Sequence, residues 1–491
     1  MASAKIADDE LLEDGMSLTQ TAFGQLMRLY GRETPDFVRF DEGPTVLATR
    51  FAADEAVSAA LAAGGTVAAD LWKLRTGEAQ RVDVSTREAA ASLTSYTFVR
   101  IEDPAHAVPP RDPAVLRSAV MGFHPTKDGR HVLLHPSFPP GTDRILRALG
   151  CAADADEVKA ACRARTAQQI EDAVAAERGC AGVVRTPEEW DASEQGRQLA
   201  ARPPVEVIKI ADSPPEPMPE GGDMPLSGVR VLDMTRVLAG PTCARTLAQY
   251  GADVLYLASP KLPASVGFLP DTNHGKLSAW LDLDEAGGKT QLTELLRTAD
   301  VFSQGYRTGA MERMGFGPAQ LAALRPGLVY TSINCYGHEG PWRGRAGWEQ
   351  LAQTVTGLAH VHGGAEGPKL QPGAVTDYTT GFLAAFGSLI ALQRRALYGG
   401  SYLVRVSLCQ TGMWVRGLGV AGEDRAEQAQ KLEGDEIRGF LTTSHGGYGP
   451  MNHLRPAVRL SATPARWKRP VVKLGTHPAE WPTEAGQIAA Q

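Results

Sequence analysis

The chain has 491 residues, of which 43% are hydrophobic and 22% charged, and its formal net charge is -6. This length predicts two or three domains, because single hydrophobic cores stop growing beyond about 250 residues. The composition is typical of globular proteins, and the lack of a dense Lys/Arg stripe argues against a nucleic-acid partner.

Targeting and redox signals favour the cytoplasm. The opening MASAKIADDELLEDG is acidic and has no apolar stretch, so it resembles neither a secretory signal nor a transit peptide. No run approaches the roughly 20 apolar residues of a membrane helix. The six cysteines are scattered without a CxxC pair or histidines at metal spacing, which predicts reduced thiols and no metal site.

Helices and strands are predicted to alternate after a Pro-rich segment near the middle of the chain. Residues 211–224, ADSPPEPMPEGGDM, are typical of a linker. Beyond it follow the strand GVRVLDM, the helix PTCARTLAQYG and the strands ADVLYLA and LSAWLDL, and the alternation continues through GKTQLTELLRTA, DVFSQGY and GLVYTSI. This alternation predicts an α/β domain with a parallel sheet.

One segment of the chain occurs twice. Aligning Ser85 with Ser407 gives an offset of 322 residues, and an Ala/Gly-rich helix followed by alternating valines then matches without a gap. Eight residues of the first copy are identical in register: Leu61, Ala62, Ala63, Gly65, Gly77, Val82, Val84 and Ser85. We interpret the match as a duplication.

Four stretches of the second half share a family resemblance. They are GVRVLDMTRVLAGPTCARTLAQYGADVLYLASP, NHGKLSAWLDLDEAGGK, GYRTGAMERMGFGPAQLAALRPGLVYTSINCYGHEGPW and PGAVTDYTTGFLAAFGSLIAL. Together they resemble the family III CoA-transferases, the group of formyl-CoA transferase, carnitine CoA-transferase and methylacyl-CoA racemase. The resemblance implies an α/β fold with a Rossmann-like parallel-sheet large domain and a smaller α+β domain. It also implies an enzyme that uses coenzyme A and acyl-CoA as substrates, with no permanently bound cofactor.

The first half resembles segments of the same family in a different order along the chain. This order indicates that the segments of one family member have been rearranged and partly duplicated. The small domain is expected to fold back over the cleft of the large domain, in the same chain or from a partner. The predicted segments are an N-terminal extension (1–44), the duplicated helix and strand (45–100), the small domain (101–210), the linker (211–224), the large CoA-binding catalytic domain (225–420) and a C-terminal tail that returns to the large domain (421–491).

The resemblance assigns catalysis to Asp377, the aspartate of VTDYTTG. A carboxylate can conserve the energy of a thioester, first as a mixed anhydride and then as an enzyme-CoA thioester. From the residues alone, an aspartate before an apolar helix is an ordinary N-cap, and a helix N-terminus also favours an ionised carboxylate. Glu349 in GWEQLAQ matches an acidic position of relatives, and either polarises the site or forms a structural salt bridge. Glu55 is opposite Asp377 in the duplicated copy and is interpreted as a surface acid at a helix start.

The resemblance also implies the residues that hold CoA. Lys276 and Arg313 are expected to neutralise CoA phosphates, and Tyr306 to stack on adenine. No GxGxxG motif follows the first strand of this domain, so nicotinamide binding is not supported. The complete predicted set is Val237, Leu238, Lys276, Gln304, Gly305, Tyr306 and Arg313.

The predicted function is transfer of CoA from an acyl-CoA donor to a small carboxylic acid by a cytoplasmic homodimer. An acyl-CoA racemase on the same scaffold needs a second acid/base, and Trp348 stands where a racemase of the family carries histidine. A CoA-dependent lyase or hydrolase is a further alternative. A protein of another class, a non-catalytic acyl-CoA-binding protein left by the duplication, also stays open.

Overall fold

The computed structural model describes residues 16–106, 118–136, 138–262, 265–420 and 424–482. The strands are β1 (Val38–Asp41), β2 (Val82–Ser85), β3 (Arg100–Ile101), β4 (Gly122–Pro125), β5 (His131–Leu134), β6 (Ala181–Val183), β7 (Glu206–Ala211), β8 (Arg230–Met234), β9 (Asp253–Ala258), β10 (Lys276–Trp280), β11 (Val301–Gln304), β12 (Val329–Asn334), β13 (Ser401–Ser407), β14 (Leu441–Gly446), β15 (Gly449–Leu454) and β16 (Val458–Leu460). The helices are α1 (Leu18–Tyr30), α2 (Ala53–Thr76), α3 (Thr86–Ser92), α4 (Pro139–Leu149), α5 (Ala155–Arg163), α6 (Ala167–Ala176), α7 (Pro187–Asp191), α8 (Glu194–Ala200), α9 (Ala239–Gln249), α10 (Leu269–Thr272), α11 (Ala286–Leu296), α12 (Ala310–Arg313), α13 (Pro318–Leu324), α14 (Glu349–Val355), α15 (Leu358–Gly363), α16 (Val375–Tyr398), α17 (Leu408–Gly417), α18 (Asp424–Glu427) and α19 (Gly434–Phe440).

A seven-stranded sheet organises the large domain. Its strand order is β10-β9-β8-β11-β12-β13-β7, with every pairing parallel except that of β7, which runs antiparallel to β13. The six parallel strands therefore follow the order 3-2-1-4-5-6 of doubly wound sheets. Their buried, nearly continuous apolar sequences fit a sheet covered on both faces. The predicted α/β fold class is confirmed.

The duplicated segment has the same structure twice. Helices α2 and α16 are both 24 residues long, and their ends differ by the same offset of 322 residues that aligns the two sequences. In each copy a strand and a second helix follow, β2 with α3 and β13 with α17. The two long helices pack against each other in the core.

The two copies contact each other reciprocally. Phe51, just before α2, forms a bridge with Val420, just after α17. In the other direction, the N–H of Ala374, just before α16, donates to the carbonyl of Leu93, just after α3, at 2.9 Å. The two contacts join corresponding segments, although not identical positions, and they fit an approximate two-fold relation. Thr49 Oγ1 lies 2.9 Å from Gln371 Oε1, its own equivalent in the other copy, which places this pair near the axis.

The N-terminal boundary differs from the prediction. Residues 18–41 are not an extension, because α1 buries Phe23, Leu26 and Met27 against α2 and β1 pairs in parallel with β2. An apolar helix face that covers α2 belongs to the core. Residues 1–15 lie outside the described part of the chain.

The small domain is shorter than predicted. Strands β4, β5 and β6 form an antiparallel sheet covered by α4, α5 and α6, which gives the expected α+β unit. Residues 206–211, assigned to this domain, instead supply β7 of the large sheet. The predicted linker is also fixed to the fold, since Met224 is fully buried and Glu216 forms a bidentate ion pair with Arg325.

The C-terminal tail returns to the large domain. Trp467 Nε1 donates to the carbonyl of Arg245 at 3.1 Å, and Trp481 Nε1 donates to that of Leu295 at 3.1 Å. Before this return, β14 and β15 pair with β3, and β16 pairs with β2.

Helix α16 is more apolar than the sequence inspection indicated. Its mean hydropathy of 1.3 and its length would suffice to cross a membrane. However, 94% of the apolar window is buried inside the fold, as expected of a core helix.

Candidate active site

The sheet changes winding direction between β8 and β11, which leaves a crevice at the carboxyl ends of these two strands. Most of the residues predicted to hold CoA lie in the loops that border this crevice. In doubly wound sheets, ligands bind outside the carboxyl ends of the strands at this switch point. The loop after β8 carries Val237 and Leu238, and β11 ends in Gln304, followed by Gly305 and Tyr306. A methyl group added at Gly305 would lie 3.9 Å from Thr235 Cβ, so the two loops are neighbours.

Val237 has a backbone conformation that is rare for its residue type. Its φ is 72°, in the left-handed region that β-branched residues almost never adopt. Such strain persists only where the surroundings impose it, and it is common in ligand-binding loops. The strained turn leads directly into α9 through Leu238, which is buried.

Asp377 is in the first turn of α16, beside this crevice. It is the third residue of the helix, and the N-cap position belongs to Ala374, so the capping interpretation of Asp377 is wrong. One turn later, Gly381 approaches the carbonyl of Ala239, the first residue of α9, so closely that an added methyl would lie 2.5 Å away. The side chain of Asp377 is half-buried, and its carboxylate accepts no hydrogen bond within the described part of the chain.

Glu349 caps the helix that carries Asp377. Its carboxylate accepts hydrogen bonds from the backbone N–H groups of Thr376 and Asp377 at 3.0 and 2.5 Å, and from the Thr376 hydroxyl. A fourth hydrogen bond comes from Gln353 Nε2 at 2.6 Å. Glu349 therefore supplies the cap that α16 lacks locally. It is buried, and within the described residues it forms no salt bridge.

The buried Glu349 carboxylate raises the proton affinity of Asp377. Burial and the neighbouring charge of Glu349 hold the pKa of Asp377 well above its usual range. Burial also raises the pKa of Glu349, although its hydrogen bonds oppose the shift. Because donors surround Glu349 and none binds the Asp377 carboxylate, we expect the pair to keep its single charge on Glu349 and its proton on Asp377.

Lys276 is fully buried. Its ammonium donates to Asp233 Oδ2 at 2.8 Å and to the carbonyl of Pro241 at 2.9 Å, and both partners of the ion pair have no exposed side-chain surface. Burial lowers the pKa of Lys276, opposed by Asp233. In this conformation the ammonium braces the loop after β8 and is not accessible to a phosphate.

The other predicted CoA residues divide by exposure. Gln304 is buried and its side chain is internally bonded, since Nε2 donates to Ser332 Oγ at 2.7 Å and Oε1 accepts from the N–H of Tyr306 at 2.7 Å. Gly305 is exposed, and Tyr306 is half-buried against the sheet core. Arg313 is exposed at the end of α12, so it offers a charge to solvent where Lys276 does not.

The small domain borders the site in the same chain. The aromatic rings of His135 and Phe138 lie 6.5 and 5.7 Å from that of Trp348, the residue before Glu349. The guanidinium of Arg236, in the strained loop, lies 5.2 Å from the Phe138 ring. Sequence reasoning missed His135 and Phe138, because neither belongs to a motif and only the folding back of the small domain brings them here.

Neighbouring side chains are poor alternative nucleophiles. Burial raises the pKa of the Cys335 and Cys180 thiols, which keeps them protonated near neutral pH. Burial lowers the pKa of His135 to about 4, so its imidazole is neutral. Within the described residues, no group of three or more His, Cys, Asp or Glu side chains is arranged to hold a metal ion.

The duplicated copy has an ion pair where the other has Asp377. Glu55, the equivalent position, accepts two hydrogen bonds of 2.7 Å from Arg425 Nη2. Asp54 beside it is buried and accepts from the N–H of Val46 at 2.6 Å, and burial raises the pKa of Asp54 to about 6. The interpretation of Glu55 as a surface acid is therefore wrong, because its side chain is only 17% exposed and is paired with Arg425.

Comparison with known proteins identifies the family. The family model described as CoA-transferase family III matches residues 18–215 and 226–439. A protein named acetyl-coenzyme A transferase nodX, from Hypoxylon pulicicidum, is 32% identical over 387 residues, which are 70% of this chain and 65% of that protein. A formyl-CoA:oxalate CoA-transferase from Rhodopseudomonas palustris is 35% identical over 196 residues, 37% of this chain and 46% of that protein. A solved structure of a CAIB/BAIF family protein from Brucella suis aligns with a TM-score of 0.37 at 28% identity, over 40% of this chain and 56% of that one.

The fold and site define a doubly wound α/β protein with a carboxylate pair at its ligand-binding edge. Because the family model matches well over half of its residues, the chain belongs to CoA-transferase family III. The chain spans about two thirds or less of the length of the curated relatives it matches.

Proposed function

We propose that this protein transfers CoA from an acyl-CoA to a free carboxylic acid, with Asp377 as the covalent nucleophile. The observation that carries the proposal is the placement of the half-buried Asp377 carboxylate, without a hydrogen-bond partner in the described chain, beside the switch point of the sheet. A carboxylate that is paired or capping would lose those bonds on attack. The Asp377 carboxyl group accepts no such bond in the described chain, so it is available to react once it is deprotonated.

The proposed reaction conserves the thioester in four steps. The Asp377 carboxylate attacks the thioester carbonyl, the C–S bond breaks, and a mixed anhydride and CoA thiolate form. The thiolate attacks the aspartyl carbonyl, which releases the first acid and leaves an enzyme-CoA thioester. The second acid attacks this thioester and forms a new anhydride, and the thiolate then attacks the new acyl group and restores the carboxylate. Neither water nor an oxidant enters the balance.

CoA is proposed to bind along the crevice between the loops after β8 and β11. Val237, Gly305 and Tyr306 border the crevice, and the exposed Arg313 would meet a phosphate. Leu238 and Gln304 shape the loops from within, and Lys276 holds the first loop through Asp233.

The test combines exchange and trapping. A panel of acyl-CoA donors and acceptor acids is incubated with the protein, and new acyl-CoA species are identified by mass spectrometry. Asp377→Asn should still bind CoA, because the two side chains are nearly isosteric, but should lose exchange by several orders of magnitude. Asp284→Asn makes the same change on a side chain with 76% exposure and should be as active as the wild type.

Hydroxylamine should trap the activated carboxylate during turnover, with the label on the peptide that contains Asp377. Exchange by the Asn variant at the wild-type rate, or a label on Glu349, would overturn the assignment. The same assay in deuterated water tests the racemase alternative, for which His135 beside Trp348 offers an imidazole that the sequence did not reveal. Rapid entry of deuterium at the α-carbon without exchange would favour that alternative.

A further inference from the structure

The residue after Asp377 belongs to a buried hydrogen-bond network. Tyr378 is fully buried, and its hydroxyl donates to Asp271 Oδ2 at 2.7 Å and accepts from the N–H of Tyr96 at 3.2 Å. Because adjacent residues of a helix share one backbone, a bond that fixes Tyr378 also fixes the turn that carries Asp377.

Asp271 joins three parts of the molecule. Besides Tyr378, its carboxylate accepts from Arg245 Nη1 of α9 at 2.7 Å and from the hydroxyl of Ser95, near the end of the duplicated copy. Arg245 in turn lies 5.8 Å from the ring of Tyr378 and 5.8 Å from the ring of Trp467 in the tail. Asp271 and Arg245 are 2% and 6% exposed, so the network is closed to water and each charge is paired.

The helix that carries Asp271 also forms a wall of a cavity beside the strained loop after β8. Leu269, Thr272 and Asn273 line a small cavity together with Arg236 and Val237 of the strained loop. One side of α10 therefore faces the strained loop that precedes α9, while Asp271 reaches from the same turn to Tyr378.

We infer that Asp271 and Tyr378 are positioning residues that set the distance between the Asp377 carboxylate and the thioester of bound acyl-CoA. The inference rests on the proposed function, and it adds two residues that touch neither substrate nor nucleophile. A displacement of about an ångström between reacting groups can lower a rate by about 10²-fold, whereas substrate affinity depends on contacts that this bond does not make. Loss of the bond should therefore slow chemistry and spare binding.

The test compares two buried tyrosines. In Tyr378→Phe, the first-turnover rate of Asp377 acylation, read by rapid quench and mass spectrometry, should fall by about 10- to 100-fold. The dissociation constant of CoA should stay unchanged. Tyr330→Phe is the matched control, since Tyr330 is 1% exposed and its hydroxyl makes one hydrogen bond, to the carbonyl of Phe316 at 3.2 Å, in the sheet core. It should lose similar stability and retain the wild-type acylation rate.

A double-mutant cycle separates positioning from general loosening. If Tyr378 acts through Asp271, then Tyr378→Phe should have little further effect on acylation in an Asp271→Asn background. Additive losses, or an acylation rate in Tyr378→Phe equal to that of Tyr330→Phe, would overturn the inference. If Asp271→Asn does not fold, the comparison of the two Phe variants still decides it. A wild-type protein that neither exchanges CoA nor is labelled at Asp377 would instead refute the proposed function.

Discussion

At the scale of single residues, the carboxyl pair of Asp377 and Glu349 connects structure to reactivity. Glu349 stabilises the first turn of α16 through its hydrogen bonds, yet its charge opposes ionisation of Asp377, the proposed nucleophile. The proposed chemistry needs Asp377 as a carboxylate. The exchange rate should therefore rise with pH through the raised pKa of Asp377 and fall as the pH drops below it.

The acid limb of the pH–rate profile is the fall in exchange rate at low pH. Glu349→Gln should move this acid limb to lower pH. The amide keeps an acceptor oxygen for the N–H groups of α16 but removes the negative charge, so the pKa of Asp377 should fall while burial still holds it above its usual range. The measurement is kcat/KM for CoA exchange as a function of pH. Glu349→Asp keeps the negative charge on a side chain that is one methylene shorter. The acid limb of this variant should stay at the wild-type pH even if its exchange rate falls. An unmoved limb in the Gln variant would show that Glu349 acts only as a cap.

Some site residues could be predicted from the sequence and others could not. The resemblance carried by VTDYTTG made Asp377 the candidate nucleophile, which stays a prediction, whereas strand-to-helix transitions placed Val237 and Gly305 at the carboxyl edge of a sheet, where the structure has them. The burial of Lys276 could not be predicted from the sequence. Its partner Asp233 is 43 residues away, and the ion pair forms only when β8, β9 and β10 assemble. A lysine in a motif gives no sign of whether its charge meets solvent or a buried acid.

At the scale of elements, α16 is held against α9 by a glycine. A methyl group at Gly381 would lie 2.5 Å from the carbonyl of Ala239 and 2.6 Å from Cβ of Thr242. Helix α16, which carries Asp377, and helix α9, which follows the strained loop after β8, therefore approach at backbone distance. Their separation sets the geometry of the site.

Gly381→Ala should push these helices apart. We expect a loss of about 1–3 kcal/mol in the free energy of unfolding, because extra volume in a packed core forces backbone shifts. Exchange should fall as well, since Asp377 is one turn away. Gly287→Ala in α11 is the matched control, because a methyl there has nothing within 4 Å, and it should stabilise the protein by about 0.5–1 kcal/mol. Urea unfolding and exchange assays measure both quantities, and a Gly381→Ala protein as stable and active as the control would contradict this account.

The helices and strands, like the site residues, could be predicted from the sequence only in part. Helix α16 and its copy α2 matched at an offset that the sequence alone provided, because both repeat the same small residues. The role of β7 was not predictable, because it pairs with β13 across nearly two hundred residues of chain. Residues 18–41 likewise read as an extension, since their partners are the faces of α2 and β2 and carry no local signal.

At the scale of the whole molecule, the chain packs one complete site and one altered copy around an approximate two-fold axis. Thr49 contacts Gln371, its own equivalent in the other copy, and each copy contacts the other near the start of its long helix, as Phe51 does with Val420 and Ala374 with Leu93. The first copy therefore covers the second much as another subunit would in a symmetric pair. The position equivalent to Asp377 holds Glu55, whose carboxylate is paired with Arg425.

One acylated carboxyl group per chain is therefore expected. The Asp377 carboxylate has no hydrogen-bond partner in the described structure, whereas Glu55 would have to break a bidentate ion pair, with side chains 17% and 14% exposed, before it could attack a thioester. Intact-mass measurement after saturation with a reactive donor should give one adduct per chain, and peptide mapping should find it at Asp377. Glu55→Gln should exchange CoA at the wild-type rate while losing about 1.5–3 kcal/mol of stability, because hydrogen bonds to a charged group are lost and Arg425 keeps its buried charge. Two adducts per chain, or a loss of exchange in Glu55→Gln greater than its loss of folded protein, would mean that the altered copy takes part in the chemistry.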